Sequence, residues 1–184
     1  MCIRDSIKPG FNEHLKILKE AGVDLIILEA MTSKDRTVEN IIECSKNVKL
    51  PIWLSISCAI NEDENILMHG YQESMTNSKA KFYDTLENSL SKFSKMHEGP
   101  ILVAHSDIKV TGEAVKILKK VHKGIVGAYP NNGYFEKPHW KLINDISPTK
   151  YLEEAKNWIS NGAQIIGGCC GVGPDKISAI SVLK

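Results

Sequence analysis

Residues 163–174 read AQIIGGCCGVGP, a short apolar run that leads into two adjacent cysteines and then into a proline. The apolar run predicts a buried β-strand, and the glycines around Cys169 and Cys170 let the backbone bend closely behind them. Pro174 then suits the first turn of a helix. Adjacent cysteines rarely bond to each other, because an S–S bond fits poorly across a planar trans peptide. Both thiols are therefore available to face one cation or one substrate.

The same order of an apolar strand followed by a helix recurs along the chain. Apolar runs predict five strands, at residues 23–28, 50–57, 101–104, 125–129 and 163–166. Apolar residues at helical spacing predict a helix after each strand and another at 11–21 before the first. Parallel strands need such crossovers, and strands that are apolar throughout, such as 23–28, fit a sheet covered on both faces. This predicts an α/β fold with a parallel sheet, either doubly wound or part of a (β/α)8 barrel.

Polar or thiol side chains stand where the predicted strands end. They are Glu29, Ser57, His105, Asn131 and the pair Cys169 and Cys170. In both architectures ligands bind at the carboxyl ends of the strands, so we expect these side chains to meet at one edge of the sheet. The polar stretch 61–77 is longer than most connections, and we expect it to cover this site.

The cysteine pair and one further nitrogen or sulfur donor form a ligand set for zinc that leaves the fourth position open to substrate. His105 is a competent third ligand as a neutral imidazole. Two other interpretations stay open: the cysteines as small buried residues in a tight turn, and His105 as a hydrogen-bonded residue at the rim. Glu29 suits either a substrate ammonium group or a surface ion pair. Residues 168–173 offer a phosphate cradle, although they lack the serine, threonine or lysine of phosphate loops.

Composition narrows the class of protein. The 184 residues carry a formal net charge of +1 and 42% hydrophobic residues, which is enough for one globular domain. The chain has no lysine or arginine block, so there is no electrostatic argument for binding nucleic acid or a membrane surface, and no apolar run is long enough to span a membrane. The odd count of five cysteines and the lack of a signal peptide predict free thiols in a reducing cytoplasm.

Three stretches resemble the homocysteine S-methyltransferase family. Residues 162–174, with the pattern GA-x-IIGGCCG-x-x-P, look like the family's last-strand zinc motif. Residues 23–31, VDLIILEAM, are similar to its D-x-x-x-x-ET strand, with Ala30 in place of the threonine. Residues 129–133, YPNNG, are similar to its YPN-x-G turn. The order and spacing also agree, so the resemblance covers roughly residue 11 to the end.

The resemblance implies a zinc-dependent enzyme of the EC 2.1.1 class that moves a methyl group from a small donor to homocysteine and so serves methionine biosynthesis. Cys169, Cys170 and His105 would hold Zn²⁺, with no catalytic group beyond the zinc-activated substrate thiolate. Glu29 would bind the amino group of homocysteine, and Asn131 would help to fix the substrate. The family carries a cysteine, within an NC pair, where this chain has His105; a Cys₂His set with one open position is chemically reasonable for catalytic zinc.

The resemblance also implies that the chain is a partial (β/α)8 barrel, approximately strands 4–8 with their helices, because about 250 residues are typical of the fold. We therefore interpret residues 1–6 as an unstructured leader or a sequence artefact, and residues 7–184 as the C-terminal portion of a homocysteine-binding barrel domain. The donor is left open among S-methylmethionine, betaine, S-adenosylmethionine and a folate or corrinoid. A paralogue acting on another thiol, a barrel that binds phosphate or a small ligand without zinc, the oligomeric state, and whether this fragment folds and works alone are left open too.

Overall fold

The computed structural model describes residues 3–32, 37–70, 72, 75–136, 138 and 141–183. Its helices are α1 Ile3–Glu20, α2 Thr37–Ser45, α3 Asn77–Ala80, α4 Leu86–Met96, α5 Ile108–Val121, α6 Pro148–Ser160 and α7 Pro174–Ile180, followed by a 3₁₀ turn at Ser181–Leu183. Its strands are β1 Ile26–Leu28, β2 Ile52–Ile56, β3 Ala59–Ile60, β4 Ile66–Leu67, β5 Ile101–Asp107, β6 Val126–Asn131, β7 Tyr134–Glu136, β8 Lys141–Ile143 and β9 Ile165–Ile166.

Five of these strands form one parallel sheet in the order β1-β2-β5-β6-β9. They are the five strands predicted from the sequence. Each strand pairs with the next one along the chain, and a helix lies in every crossover. A doubly wound sheet reverses its strand order at a switch point, whereas a barrel does not. The observed order is therefore that of an arc of a (β/α)8 barrel.

The core lies between this sheet and the helices. Side chains on the helix-facing side of the strands are buried, including Leu28, Leu54, Val103 and Ala128. The prediction that the first strand is buried on both faces is wrong, because Ile27, which points to the other side, is 42% exposed. β1 is an edge strand of the described sheet, so it has a neighbour on one side only.

Two short antiparallel hairpins interrupt the regular alternation, and the sequence did not predict them. The hairpin β3–β4 follows β2, and the hairpin β7–β8 follows β6. The stretch 61–77, expected to be a polar loop over the site, holds β4 and the start of α3. One of its residues does reach back, since the Gln72 amide bonds both the N–H and the carbonyl oxygen of Ile60, each at 2.8 Å.

The first helix differs from the prediction of an unstructured leader at residues 1–6. α1 begins at Ile3 rather than near residue 11, so residues 3–6 are helical, while residues 1 and 2 lie outside the described part of the chain. α1 packs on α2 through Leu15, which is 4% exposed. Across the described residues, no helix combines the length and the apolar character that a membrane crossing requires.

Two buried histidines lie at the C-terminal ends of the helices that precede β5 and β6. His97 ends α4 and His122 ends α5, and they are 8% and 3% exposed. The Nε2 atom of His97 lies 3.3 Å from the Pro100 carbonyl oxygen, and that of His122 lies 3.1 Å from the Gly99 carbonyl oxygen. A neutral ring protonated at Nε2 donates each of these hydrogen bonds. Burial lowers the pKa of both rings below the ordinary histidine value.

These histidines predict that the protein loses stability on acidification. The unfolded chain binds protons at the ordinary histidine pKa of about 6.5, before the folded chain does, so the free energy of unfolding should fall as pH drops from about 7.5 to about 5. Thermal midpoints measured across this range should decrease by several degrees. Replacing His97 or His122 by glutamine, which can still donate to the carbonyl, should flatten the dependence, whereas His14→Gln on the exposed face of α1 should not. Parallel slopes in all three variants would contradict the assignment.

Candidate metal and substrate site

Backbone hydrogen bonds fix the turn that carries the cysteine pair between β9 and α7. The N–H of Cys169 donates to the Pro130 carbonyl oxygen at 2.9 Å, and the N–H of Asn132 donates to the Cys170 carbonyl oxygen at 2.8 Å. The N–H of Cys170 donates to the Asn131 side-chain oxygen at 3.3 Å. Gly171 has φ +75°, and a Cβ there would lie 2.3 Å from the Asn132 carbonyl oxygen, so this position needs glycine. The turn is thus bound to the end of β6.

His105 reaches the turn from an irregular end of β5. The pairing of β5 with β6 shifts between Ala104 and Asp107, and His105 itself has a left-handed φ of +47°. Ser106 stabilises this bend, because its hydroxyl donates to the Ala104 carbonyl oxygen at 2.8 Å and accepts the N–H of Cys58 at 2.9 Å. Asp107 then caps α5 by accepting the N–H of Lys109 at 2.8 Å.

The three predicted ligands come together in one cluster. The Nδ1 atom of His105 lies 3.8 Å from the sulfur of Cys169 and 3.8 Å from that of Cys170, and the two sulfurs are 3.9 Å apart. Tetrahedral zinc with ordinary bond lengths separates two sulfur ligands by about 3.8 Å and a sulfur from a nitrogen by about 3.6 Å. The donor atoms therefore fit three corners of a tetrahedron, and among the described residues this is the one group of metal-binding side chains found.

The charge balance of the cluster also favours a cation. Burial, the largest cause, acts together with the negative charges of ionised Cys170 and of Glu29 to raise the pKa of Cys169 to about 11. Without a positive charge nearby, this thiol therefore keeps its proton at neutral pH. A bound metal ion supplies that charge and ionises its thiol ligands.

Glu29 follows β1 and is held by two hydroxyl groups. Its carboxylate accepts the phenol of Tyr129 at 2.8 Å and the hydroxyl of Ser55 at 3.2 Å. Burial raises the pKa of Tyr129, and the hydrogen bond to Glu29 acts in the same direction, so the phenol stays protonated and donates. No lysine or arginine in the described ranges forms an ion pair with Glu29. The carboxylate is thus exposed and oriented, which suits an incoming cation better than a surface ion pair.

Asn131 lies between the cysteine turn and a polar cavity of about 350 Å³. The cavity is lined by Gln72, His105, Asp107, Asn131, Gly133, Tyr134 and Asn144. Gln72 belongs to the stretch that was expected to cover the site. Ser57, the remaining polar residue at a strand end, is fully buried, and its hydroxyl has no hydrogen-bond partner within the described part of the chain.

The phosphate cradle considered from the sequence is weakened, because the N–H groups of Cys169, Cys170 and Val172 within it already have hydrogen-bond partners. Besides the bonds of Cys169 and Cys170, the N–H of Gly167 donates to Ala128 and that of Val172 donates to Cys169. A phosphate needs several free N–H groups at a helix N-terminus. The interpretation of the cysteines as wholly buried residues also fails, since Cys170 is exposed and Cys169 is partly exposed.

Comparison with known proteins identifies the family of this chain. A model of the family described as homocysteine S-methyltransferase matches residues 3–183. The chain belongs to the homocysteine S-methyltransferase family. Among curated relatives, homocysteine S-methyltransferase 3 of Zea mays is 28% identical over 189 residues, covering 96% of this chain and 49% of the relative. The selenocysteine methyltransferase of Astragalus bisulcatus is 22% identical over 181 residues, with coverage of 96% and 49%. The chain therefore spans about half the length of the curated relatives it matches.

Solved structures confirm the expected fold. The metallated form of the Escherichia coli homocysteine methyltransferase MmuM aligns with a TM-score of 0.70 at 16% identity, covering all of this chain and 53% of that one. The apo form aligns with a TM-score of 0.69 and 59% coverage of that chain. The prediction of a partial (β/α)8 barrel is thus confirmed, and so is the prediction that the chain belongs to the homocysteine S-methyltransferase family.

Two residues that support the candidate site were not predicted from the sequence. Asn132, treated as one member of a turn, is fully buried and bonded to the cysteine turn. Tyr151 of α6 is also fully buried, and its phenol donates to the Gly167 carbonyl oxygen at 2.7 Å. The doubled asparagine in YPNNG was the available signal for the first, whereas Tyr151 occupied an ordinary helical position.

Proposed function

We propose that the protein carrying this chain transfers a methyl group from a small donor to the thiol of homocysteine and releases methionine. The observation that carries the proposal is the cluster of Cys169, Cys170 and His105, with the oriented carboxylate of Glu29 close enough to influence the Cys169 thiol. Homocysteine has a thiol at one end and an ammonium group at the other, so it matches these two features. The family match and the names of the relatives support the same reaction.

Cys169, Cys170 and His105 would hold one zinc ion. When bound, zinc lowers the pKa of a thiol at its open position and so makes that thiol nucleophilic at neutral pH. Glu29 binds the substrate ammonium group, and the Tyr129 phenol keeps the carboxylate in place. Asn131 holds the cysteine turn through Cys170 and lies beside the polar cavity, where we place the methyl donor.

The residues of the chain contribute mainly by positioning. The homocysteine thiol first loses its proton to water. Its sulfur then forms a bond to the methyl carbon while the bond from that carbon to the donor breaks in line, and the donor leaves with that electron pair. Holding the sulfur and the methyl carbon in this geometry removes much of the entropic part of the activation barrier for methyl transfer. The thiol ligands must stay reduced to bind the metal. Cys44, Cys58, Cys169 and Cys170 are all free. Both points agree with the expectation of a reducing, cytoplasmic location.

Methylation of a different acceptor is the second candidate function, because one relative is named for methylation of selenocysteine. Rates measured with homocysteine, cysteine and selenocysteine, each with a panel of methyl donors, separate the acceptors. The alternative of a barrel that binds a ligand without zinc is tested by metal content, because this alternative predicts no zinc in the purified protein. A cooperative thermal transition establishes that the polypeptide assayed is folded.

The proposal is tested at its least familiar ligand, His105. The wild-type protein should carry one zinc ion per chain, and His105→Ala should weaken zinc binding by more than about 100-fold, since partners outside the ligand shell alone are worth about 10–100-fold. His105→Cys should retain zinc, because a thiolate is an equally good ligand. Zinc is measured by elemental analysis and by competition with a chromophoric chelator, with His14→Ala on α1 as the control. Equal zinc affinity in wild type and His105→Ala would remove His105 from the ligand set.

A further inference from the structure

Asn132 joins the cysteine turn to the loop before α6 through four hydrogen bonds. It is fully buried, and its backbone N–H donates to the Cys170 carbonyl oxygen at 2.8 Å. Its side-chain amide nitrogen donates to the Gly171 carbonyl oxygen at 3.0 Å and to the carboxylate of Asp145, while its side-chain oxygen accepts the N–H of Ile146 at 3.0 Å. One residue therefore binds both the cysteine turn and the loop that precedes α6.

A buried lysine extends these contacts to α7. Lys176 is 5% exposed, and its ammonium group lies 3.1 Å from the carboxylate of Asp145 and 3.6 Å from that of Asp175. The hydrogen bond from Asn132 and the pairing with Lys176 both lower the pKa of Asp145, so this carboxylate stays ionised and accepting. The loop before α6, the cysteine turn and the first turn of α7 are therefore joined through Asp145 and Asn132.

The cysteine turn needs such external support because of its sequence. Glycines occupy positions 167, 168, 171 and 173, and each of them gives the unliganded backbone extra conformational freedom that metal binding must remove. A ligand pair that is already ordered before binding avoids this cost. Hydrogen bonds that orient ligands from outside the coordination shell act in this way in metal sites generally.

We propose that Asn132 is a positioning residue that holds Cys169 and Cys170 at metal-binding separation before the metal arrives, with Asp145 as the anchor of its side chain. The inference rests on the proposed function, because it assigns the cysteine pair to a metal. Asn132 acts through the Gly171 and Cys170 carbonyl groups and touches neither sulfur. Its effect should therefore appear in the affinity for the metal rather than in the identity of the ligands.

The test compares Asn132→Ala with Asn161→Ala in the full chain. Asn161 is the matched control, because its amide also donates to a glycine carbonyl, that of Gly112 at 3.1 Å, but on α5 and away from the cysteines. Asn132→Ala should weaken zinc binding by at least about tenfold, measured by competition with a chromophoric chelator, while Asn161→Ala leaves it unchanged. Equal zinc affinity in the two variants at comparable thermal stability would overturn the proposal.

Asp145→Ala keeps the test decisive if Asn132→Ala does not fold. Asp145 lies at the surface, and its removal deprives the Asn132 amide of its anchor while Lys176 keeps Asp175 as a partner. We expect a loss of zinc affinity in the same direction and a smaller one, of a few-fold. Unchanged zinc affinity in Asp145→Ala would overturn the role given to the anchor.

A metal-free measurement separates this inference from the proposed function. Phenylarsine oxide binds two neighbouring thiols at once: two As–S bonds form, and the arsenic-bound oxygen leaves as water with the two thiol protons. Its affinity for the zinc-free protein should fall in Asn132→Ala and stay constant in Asn161→Ala. If the wild type binds no zinc, the proposed function fails while this comparison still decides the role of Asn132. Equal arsenical affinity in both variants would show that Asn132 does not position the pair.

Discussion

Replacing Cys170 by serine is expected to abolish zinc binding and to lower the methyl-transfer rate by at least about 1,000-fold, which corresponds to about 4 kcal/mol of barrier. A serine hydroxyl stays protonated near neutral pH and is a poor zinc ligand, so two ligands would remain of the three in the cluster. The sulfur of the substrate would then lose the cation that stabilises its ionised form. Cys169→Ser should have an effect of the same size, because both sulfurs lie 3.8 Å from His105.

The matched control is Cys44→Ser. Cys44 is a free cysteine on α2, buried and remote from the cluster, so its replacement should leave both zinc content and rate near the wild-type values. Zinc is determined by elemental analysis, and the rate is followed as methionine formed from homocysteine. A Cys170→Ser protein that still binds zinc with wild-type affinity would contradict the metal site, whatever its rate.

The sequence predicted the strands and the ligand cluster for the same physical reason. Apolar runs between glycines and prolines marked the five parallel strands, and parallel strands end at one edge of their sheet. His105 and Cys169 are 64 positions apart along the chain, yet they meet because His105 lies near the end of β5 and Cys169 follows β9 at that edge. A prediction of this kind needs only the direction of the strands and not the packing of individual side chains.

The parts that the sequence did not predict depend on tertiary contacts. The hairpins β3–β4 and β7–β8 have two or three residues in each strand, which is too short for a periodic pattern. The role of Asn132 depends on Gly171 and Ile146, whose positions are fixed by the folded chain. The exposure of Ile27 depends on which strands flank β1. None of these is encoded within a short window of sequence.

The backbone conformation of His105 determines where its imidazole lies relative to the cysteines. A left-handed φ is unfavourable for a residue with a Cβ and costs of order 1 kcal/mol, and such residues persist where the surroundings hold them in place. Ser106 and Asp107 provide that hold through the Ala104 carbonyl and the cap of α5. The bend turns the imidazole from the line of β5 toward the cysteines. The irregular strand end is thus what allows a histidine to complete the cluster.

Replacing Glu29 by glutamine is expected to raise the KM for homocysteine by about 10–100-fold with a smaller change in kcat, because a hydrogen bond to a charged group contributes about 1.5–3 kcal/mol. Glutamine keeps the size of the side chain and can still accept from Tyr129, but it loses the negative charge that binds the ammonium group. Tyr129→Phe should raise KM less, by a few-fold, since the carboxylate remains and loses one hydrogen bond of 2.8 Å.

The decisive comparison for Glu29 uses 4-mercaptobutyrate, which keeps the thiol and the carboxylate of homocysteine and lacks its amino group. Wild type and Glu29→Gln should methylate this acceptor with similar KM, because the group that Glu29 binds is absent from it. The ratio of the two KM values for homocysteine, divided by the same ratio for 4-mercaptobutyrate, measures the coupling between the carboxylate and the ammonium group. A Glu29→Gln protein whose KM rises equally for both acceptors would show that the carboxylate acts on the structure of the site and not on the ammonium group.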